Sequence, residues 1–170
     1  MSRIASSQAE LRMKRMRFRL VPIGSTLAAC SLSLLPIVAE AAYIPDFGLL
    51  TLLAWRLLRP EMWSVTTALP LGLFNDLVSG HPLGQSMAIW TLLFLVLDYL
   101  DTRSDYRDYW LDWLLAAAGI TIAATGGWII AHYLGSEIGY MMIVPQILVS
   151  ILLLPVVALL VAWLDRWRLS

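Results

Sequence analysis

Asp76 is the residue whose position most demands a chemical explanation. It lies inside an apolar run, in a stretch that also carries Ala68, Pro70, Gly72, Asn75, Gly80, His81 and Gly84. Ala68, Gly72, Asp76 and Gly80 recur every four residues, so on a helix they share one face whose small side chains let another backbone come close. A carboxylate near a helix C-terminus is opposed by the helix dipole, and among apolar neighbours it needs a partner. The candidates in the chain are His81, His132, or the free N–H groups where the next helix begins, at Gly84–Ser86. The expected reading is the amide cap, which would hold the third and fourth helices together. Contact with another protein, and proton transfer or metal binding, are the alternatives.

Other groupings offer less chemistry. His81, His132 and Glu137 could approach Asp76, but two histidines without ligand spacing do not make a metal site. Asp98, Asp101, Asp105, Asp108 and Asp112 surround Arg103 and Arg107, which reads as a solvated loop with local ion pairs, or as a docking surface for a cytoplasmic partner. Gly119, Ala123 and Gly127 form a second small-residue stripe suited to close helix contact, within the chain or with another subunit. Trp128 and Tyr133 near its end read as interfacial residues. There is no His-Glu-x-x-His, no Gly-x-Ser-x-Gly, no phosphate-cradling glycine loop and no pair of carboxylates at a common depth. No catalytic, cofactor-binding or metal-ligating residues are therefore expected, and no enzyme. The lone Cys30 excludes an intrachain disulfide.

The elements that must position Asp76 follow from composition. Hydrophobic residues make up 59% of the chain and charged residues 14%, more apolar side chain than a water-surrounded core of 170 residues can hide. Lipid is the expected surrounding. Six apolar stretches stand out, at 20–39, 45–59, 61–78, 84–100, 110–134 and 141–164. The first reads as an uncleaved span. The second is the doubtful one, because about 15 residues at 1.5 Å each reach only about 22 Å, and its last turn carries Arg56 and Arg59. If it crosses, all 12 basic residues face the cytoplasm, with Arg56 and Arg59 reaching to the inner interface; if it does not, those from Arg56 onward invert. The undivided distribution favours crossing.

The expected fold is therefore all-α, a polytopic integral membrane protein with a bundle of about six transmembrane helices, one of them short. A basic cytoplasmic arm at 1–19 precedes a six-helix domain at 20–165, and a short cytoplasmic tail follows at 166–170. Trp55, Trp63, Trp110, Trp113, Trp163 and Trp167 fall at the expected inner boundary as an interfacial belt. Pro45 and Pro60 stand where helices begin, positions at which a missing N–H costs nothing. The arm from Arg12 to Arg19 suits anionic lipid, and nothing supports nucleic-acid binding.

Taken in order, Pro45-Asp46, Leu49-Leu50, Ala54-Trp55, Pro60-Glu61, Gly72 through Asn75-Asp76, Gly80, and Pro82 to Gly84 resemble the core of the MreD family of rod shape-determining proteins. The resemblance covers about 45–100 in detail; the other spans match in number, length and hydropathy. Ile44 departs from the pattern, since the family often has a basic residue before the Pro-Asp pair. The resemblance implies a non-catalytic inner-membrane subunit of the bacterial cell-elongation complex, without cofactors. Its implied partner is the bitopic protein MreC, and through the wider complex the MreB filament, the RodA glycosyltransferase and a class B penicillin-binding protein. Pro45, Asp46, Trp55, Pro60, Ala68, Gly72, Asn75, Asp76, Gly80 and Gly84 are then structural or partner-binding candidates. The Ala68–Gly72–Asp76 face, with Gly80 and Gly84 closing the turn, either shapes the bundle or receives a partner's transmembrane helix. The alternative function is the substrate-binding membrane component of a small-solute uptake transporter of the energy-coupling type, which needs an outer-facing cavity with convergent polar groups.

Overall fold

The computed structural model describes residues 8–35, 44–102 and 109–169, and among them the regular structure is helical throughout. Six α-helices follow one another: α1 (Gln8–Ser31), α2 (Phe47–Leu58), α3 (Val65–Ser79), α4 (Gln85–Asp101), α5 (Tyr109–Tyr133) and α6 (Val144–Leu169). Short 3₁₀ turns sit at Leu32–Leu34, Pro60–Met62 and Tyr140–Met142. Two segments, Trp110–Tyr133 and Tyr140–Leu169, are long and apolar enough to cross a membrane.

The helix ends differ from expectation in instructive ways. α1 is already helical at Gln8, so the basic arm continues the first helix. Pro60 opens a 3₁₀ turn instead of α3, because Trp63 and Ser64 then run extended and α3 starts at Val65. Ser64 and Thr66 hydrogen-bond through their hydroxyls at 2.6 Å, and the Thr67 hydroxyl donates to the Ser64 carbonyl at 2.6 Å. These bonds close the first turn of α3, which Pro70 weakens by removing an N–H. α3 ends on Gly80 at φ +70°, and α4 starts after Gly84 at φ +95°, left-handed geometry that a Cβ disfavours. α6 continues to Leu169, with Asp165 and Arg168 paired along its last turn, so residues 166–169 of the expected tail are helical.

The short second stretch, doubtful by length, is the centre of the bundle. Every residue of α2 from Gly48 to Arg56 is buried, and the helix packs on α1, α5 and α6. A helix that is apolar all round belongs in the interior. Here the interior is built by longer neighbours. This placement corrects two expectations. Trp55 and Trp63 are core residues, 0% and 5% exposed, and not members of an interfacial belt; Trp110, Trp163 and Trp167 do face outward. Arg56, 2% exposed, does not reach out to an interface.

Helix α3 packs most extensively on α4, α1 packs on α2 and α3, and α5 lies against α4 and α6. Polar contacts fix the directions: the start of α2 meets the end of α3 and the start of α4, and its end meets the ends of α4 and α6. The helices thus alternate in direction, and the described turns gather at two ends.

Candidate functional site

At one end, the Asp76 carboxylate is 1% exposed and accepts hydrogen bonds from the chain that opens α4. Gly84 N donates to Oδ2 at 2.9 Å, Ser86 N to Oδ1 at 2.7 Å, and Met87 N to Oδ2 at 3.4 Å. The sequence folds this way locally because Gly80 and Gly84 turn the chain within eight residues, and the first amides of a helix have no partners of their own. The positive end of α4 therefore meets the carboxylate that the C-terminus of α3 disfavours.

The small-residue face of α3 is filled from within the chain. Ala68 is 0% exposed, and a Cβ at Gly72 would stand 2.6 Å from Met87 Cα and 2.7 Å from Met87 N. Backbone thus meets backbone at Gly72, which leaves no vacancy there for another helix. Gly72→Leu is expected to prevent this approach and lower stability by about 3 kcal/mol or more, read as thermal unfolding in detergent. An unchanged midpoint would show that the two helices do not meet there. The stripe on α5 also faces α4: Leu93 lies over Gly119 and Gln85 over Gly127, while Ala123 and Gly127 border a cavity.

Asn75 extends the junction to α2. Its Nδ2 donates to Asp46 Oδ2 at 3.1 Å and to Ser86 Oγ at 3.2 Å, while Asp46 Oδ1 accepts from Leu49 N at 3.0 Å and caps α2. Pro45 is buried beside that cap. Ser79 Oγ donates to Ser33 Oγ at 3.1 Å, tying the end of α1 to α3. His81 Nδ1 lies 3.5 Å from Ser86 Oγ. His132 is elsewhere, stacked on Trp128 with ring centroids 5.4 Å apart and in contact with the Ser136 carbonyl at 3.2 Å. Trp128 Nε1 donates to the Ile138 carbonyl at 2.7 Å, which closes the α5–α6 turn.

The opposite end is held by charge. Arg56 pairs with Asp98 and, at 2.7 Å, with Asp101, while its guanidinium lies 5.8 Å from the Phe94 ring centre. Arg59 Nη2 meets Asp165 Oδ2 at 2.9 Å; Arg168 Nε reaches Asp165 Oδ1 at 2.7 Å and stacks over Trp55 at 5.1 Å. Trp55 Nε1 in turn donates to Ser25 Oγ at 2.8 Å. Asp98 and Asp101 were expected to pair within a solvated loop, yet they neutralise the arginine of a buried helix. Residues 103–108, and with them Arg103, Arg107, Asp105 and Asp108, lie outside the described residues.

Sequence reasoning placed the Ser86 amide on Asp76 but missed the Asn75 bond to the Ser86 hydroxyl, and it missed the Asp165–Arg168 pair. A helical signal existed for the second, since residues three apart share a face. For the first there was no local signal, because Asn75 and Ser86 lie on different helices.

Each buried carboxylate has its oxygens engaged by fixed donors, and among the described residues no group of three or more His, Cys, Asp or Glu gathers as metal ligands. Such groups hold helices at set distances and leave no base poised beside a nucleophile. The class this defines is an all-helical bundle held by buried polar junctions. The family model of the rod shape-determining protein MreD matches residues 14–164, and the chain belongs to that family. This is a family of bacterial membrane proteins that are shape-determining and non-catalytic, associated with the rod-shape machinery. No curated protein and no solved structure gives a significant match.

Proposed function

We propose that this chain is a six-pass inner-membrane subunit of the cell-elongation complex, with both termini in the cytoplasm, which binds an MreC-like bitopic protein. Through it the chain connects indirectly with the MreB filament, the RodA glycosyltransferase and a class B penicillin-binding protein. The family match across residues 14–164 carries this reading. Two features of the bundle support it. The alternation of six helices returns the C-terminus to the end of the bundle where Arg56 and Arg59 lie, and the short α2 needs no lipid of matching thickness because protein surrounds it.

The outward face supports it as well. Leu92, Leu95, Val96 and Tyr99 on α4, and Leu152, Val156, Leu159, Leu160 and Trp163 on α6, are half or more exposed. Their spacing forms continuous helix faces suited to lipid and to the helix of a partner. With the small-residue faces of α3 and α5 both turned toward α4, partner contact is assigned to these larger apolar faces.

Photo-crosslinkers placed singly at Leu92, Leu95, Leu152 and Leu159 in cells test the assignment. The expected result is capture of an MreC-like protein from one face, with loss of rod width control when that face is altered. Recovery of no elongation protein, under conditions that preserve other membrane complexes, would overturn it. Cysteine labelling at Ser170 is expected to report the cytoplasm; a periplasmic signal would reverse the topology. The uptake-component alternative draws on one observation, a mainly apolar cavity with a few polar groups at the Asp46 end of the bundle. Unchanged cell shape with lost solute uptake in a deletion strain would favour that alternative.

A further inference from the structure

An open cavity of about 280 Å³ lies at the end of the bundle where α2 and α4 begin, lined on its other sides by α5 and the start of α6. Its wall combines apolar surface with a distinct set of polar groups. Gln85 Oε1 is buried and has no hydrogen-bond partner. The amide that carries it rests against Gly127, where a Cβ would come within 2.9 Å of Nε2, so the absence of a side chain at Gly127 makes room for it. Asp46 contributes a carboxylate whose oxygens each have one donor already and lone pairs to spare. Trp90 and Trp128 supply aromatic surface.

The charge pattern selects among ligands. Among the described residues no lysine or arginine lines the cavity. The amides at the start of α4, which would otherwise attract an anion, are taken up by Asp76. A phosphate or carboxylate would therefore meet the Asp46 carboxylate and Gln85 Oε1, with His81 as the histidine of the wall that could answer it. A wholly apolar ligand would leave Gln85 Oε1 unpaired, a cost that a donor removes. An ammonium group satisfies the acceptors beside the two tryptophans of the wall.

We propose that this cavity binds the ammonium group of an amphiphile, with Gln85 Oε1 and the Asp46 carboxylate as acceptors and the apolar wall holding the adjoining carbon atoms. The same chemistry is found in the ethanolamine headgroup of a phospholipid and in a free alkylamine. The site does not depend on which partner helix the chain binds, and its readouts are separate from cell width and partner recovery.

The test measures thermal unfolding of the purified full chain with hexylammonium, with hexanoate and with hexanol, and again in nanodiscs of phosphatidylethanolamine or phosphatidylglycerol. Hexylammonium alone among the three is expected to raise the midpoint. A higher midpoint in phosphatidylethanolamine, with no further rise on adding hexylammonium, identifies the lipid as the source. An equal rise in both nanodiscs identifies a free amine. Gln85→Met is expected to weaken hexylammonium binding on the order of tenfold, and Gln85→Glu to strengthen it. Ala124→Leu, which fills the cavity, is expected to abolish it. An equal response to hexanoate, or no response to any amine or to phosphatidylethanolamine, overturns the site. So does a Gln85→Met protein that binds as the wild type does. If Gln85→Met does not fold, Gln85→Glu decides, and an unchanged amine affinity there overturns the proposal.

Discussion

Arg56→Met is expected to lower the stability of the bundle by about 3 kcal/mol, because it removes the cation and leaves two carboxylates behind. Arg56 is 2% exposed, and its partners Asp98 and Asp101 stand one turn apart on α4. With methionine in its place the two acids repel each other beside the apolar end of α2, and α4 loses its attachment there. Arg56→Lys should fall between, since a single ammonium lacks the fork that reaches two acids at once. The informative control is the triple variant Arg56→Met, Asp98→Asn, Asp101→Asn, which removes all three charges. It is expected to recover most of the loss and can exceed the wild type, because Nε and Nη1 of Arg56 are buried without partners and the native guanidinium is incompletely satisfied. Thermal or denaturant unfolding in detergent reads these differences as a mutant cycle. Equal midpoints for the wild type and Arg56→Met would mean that the ion pairs do not hold α2 to α4.

Asp76→Leu is expected to be about as costly, on the order of 3–5 kcal/mol, for a different reason. It strands the Gly84 and Ser86 amides, two buried donors that the carboxylate now satisfies at 2.9 and 2.7 Å. It also places a branched side chain one helical turn from Gly72, where the backbones of α3 and α4 are closest. Asp76→Asn keeps an acceptor of nearly the same shape and should cost only about 1–2 kcal/mol. The two variants therefore separate loss of an acceptor from loss of charge. Amide hydrogen exchange at Gly84, Ser86 and Met87 is the direct measurement: protection should collapse in Asp76→Leu and persist in part in Asp76→Asn. Full protection in the leucine variant would show that Asp76 does not cap α4.

How much of this was legible beforehand depends on how far apart the interacting residues are. Asp76 and the amides of Gly84 and Ser86 are eight and ten residues apart across one turn, so the need of a carboxylate at a helix end and the need of free amides at the next could be matched on the page. The small-residue spacing of Ala68 and Gly72 likewise announced a close approach, though not that α4 supplies the other side. The pairing of Arg56 with Asp98 and Asp101, across 42 and 45 residues, and of Arg59 with Asp165, across 106, had no local signature.

What the chain's order of residues determined by itself was its helices, its apolar character and the gathering of charge near particular helix ends, because each depends on neighbours along the backbone. Only tertiary structure decided that the shortest helix occupies the centre, that Trp55 and Trp63 belong to the core, and that a cavity opens beside Asp46 and Gln85. The physical reason is that apolar periodicity distinguishes inside from outside when the outside is water. In a chain whose helices are apolar on nearly every face, that contrast is lost. Which face turns inward is then set by the joint packing of six helices and by the few polar groups that must find each other.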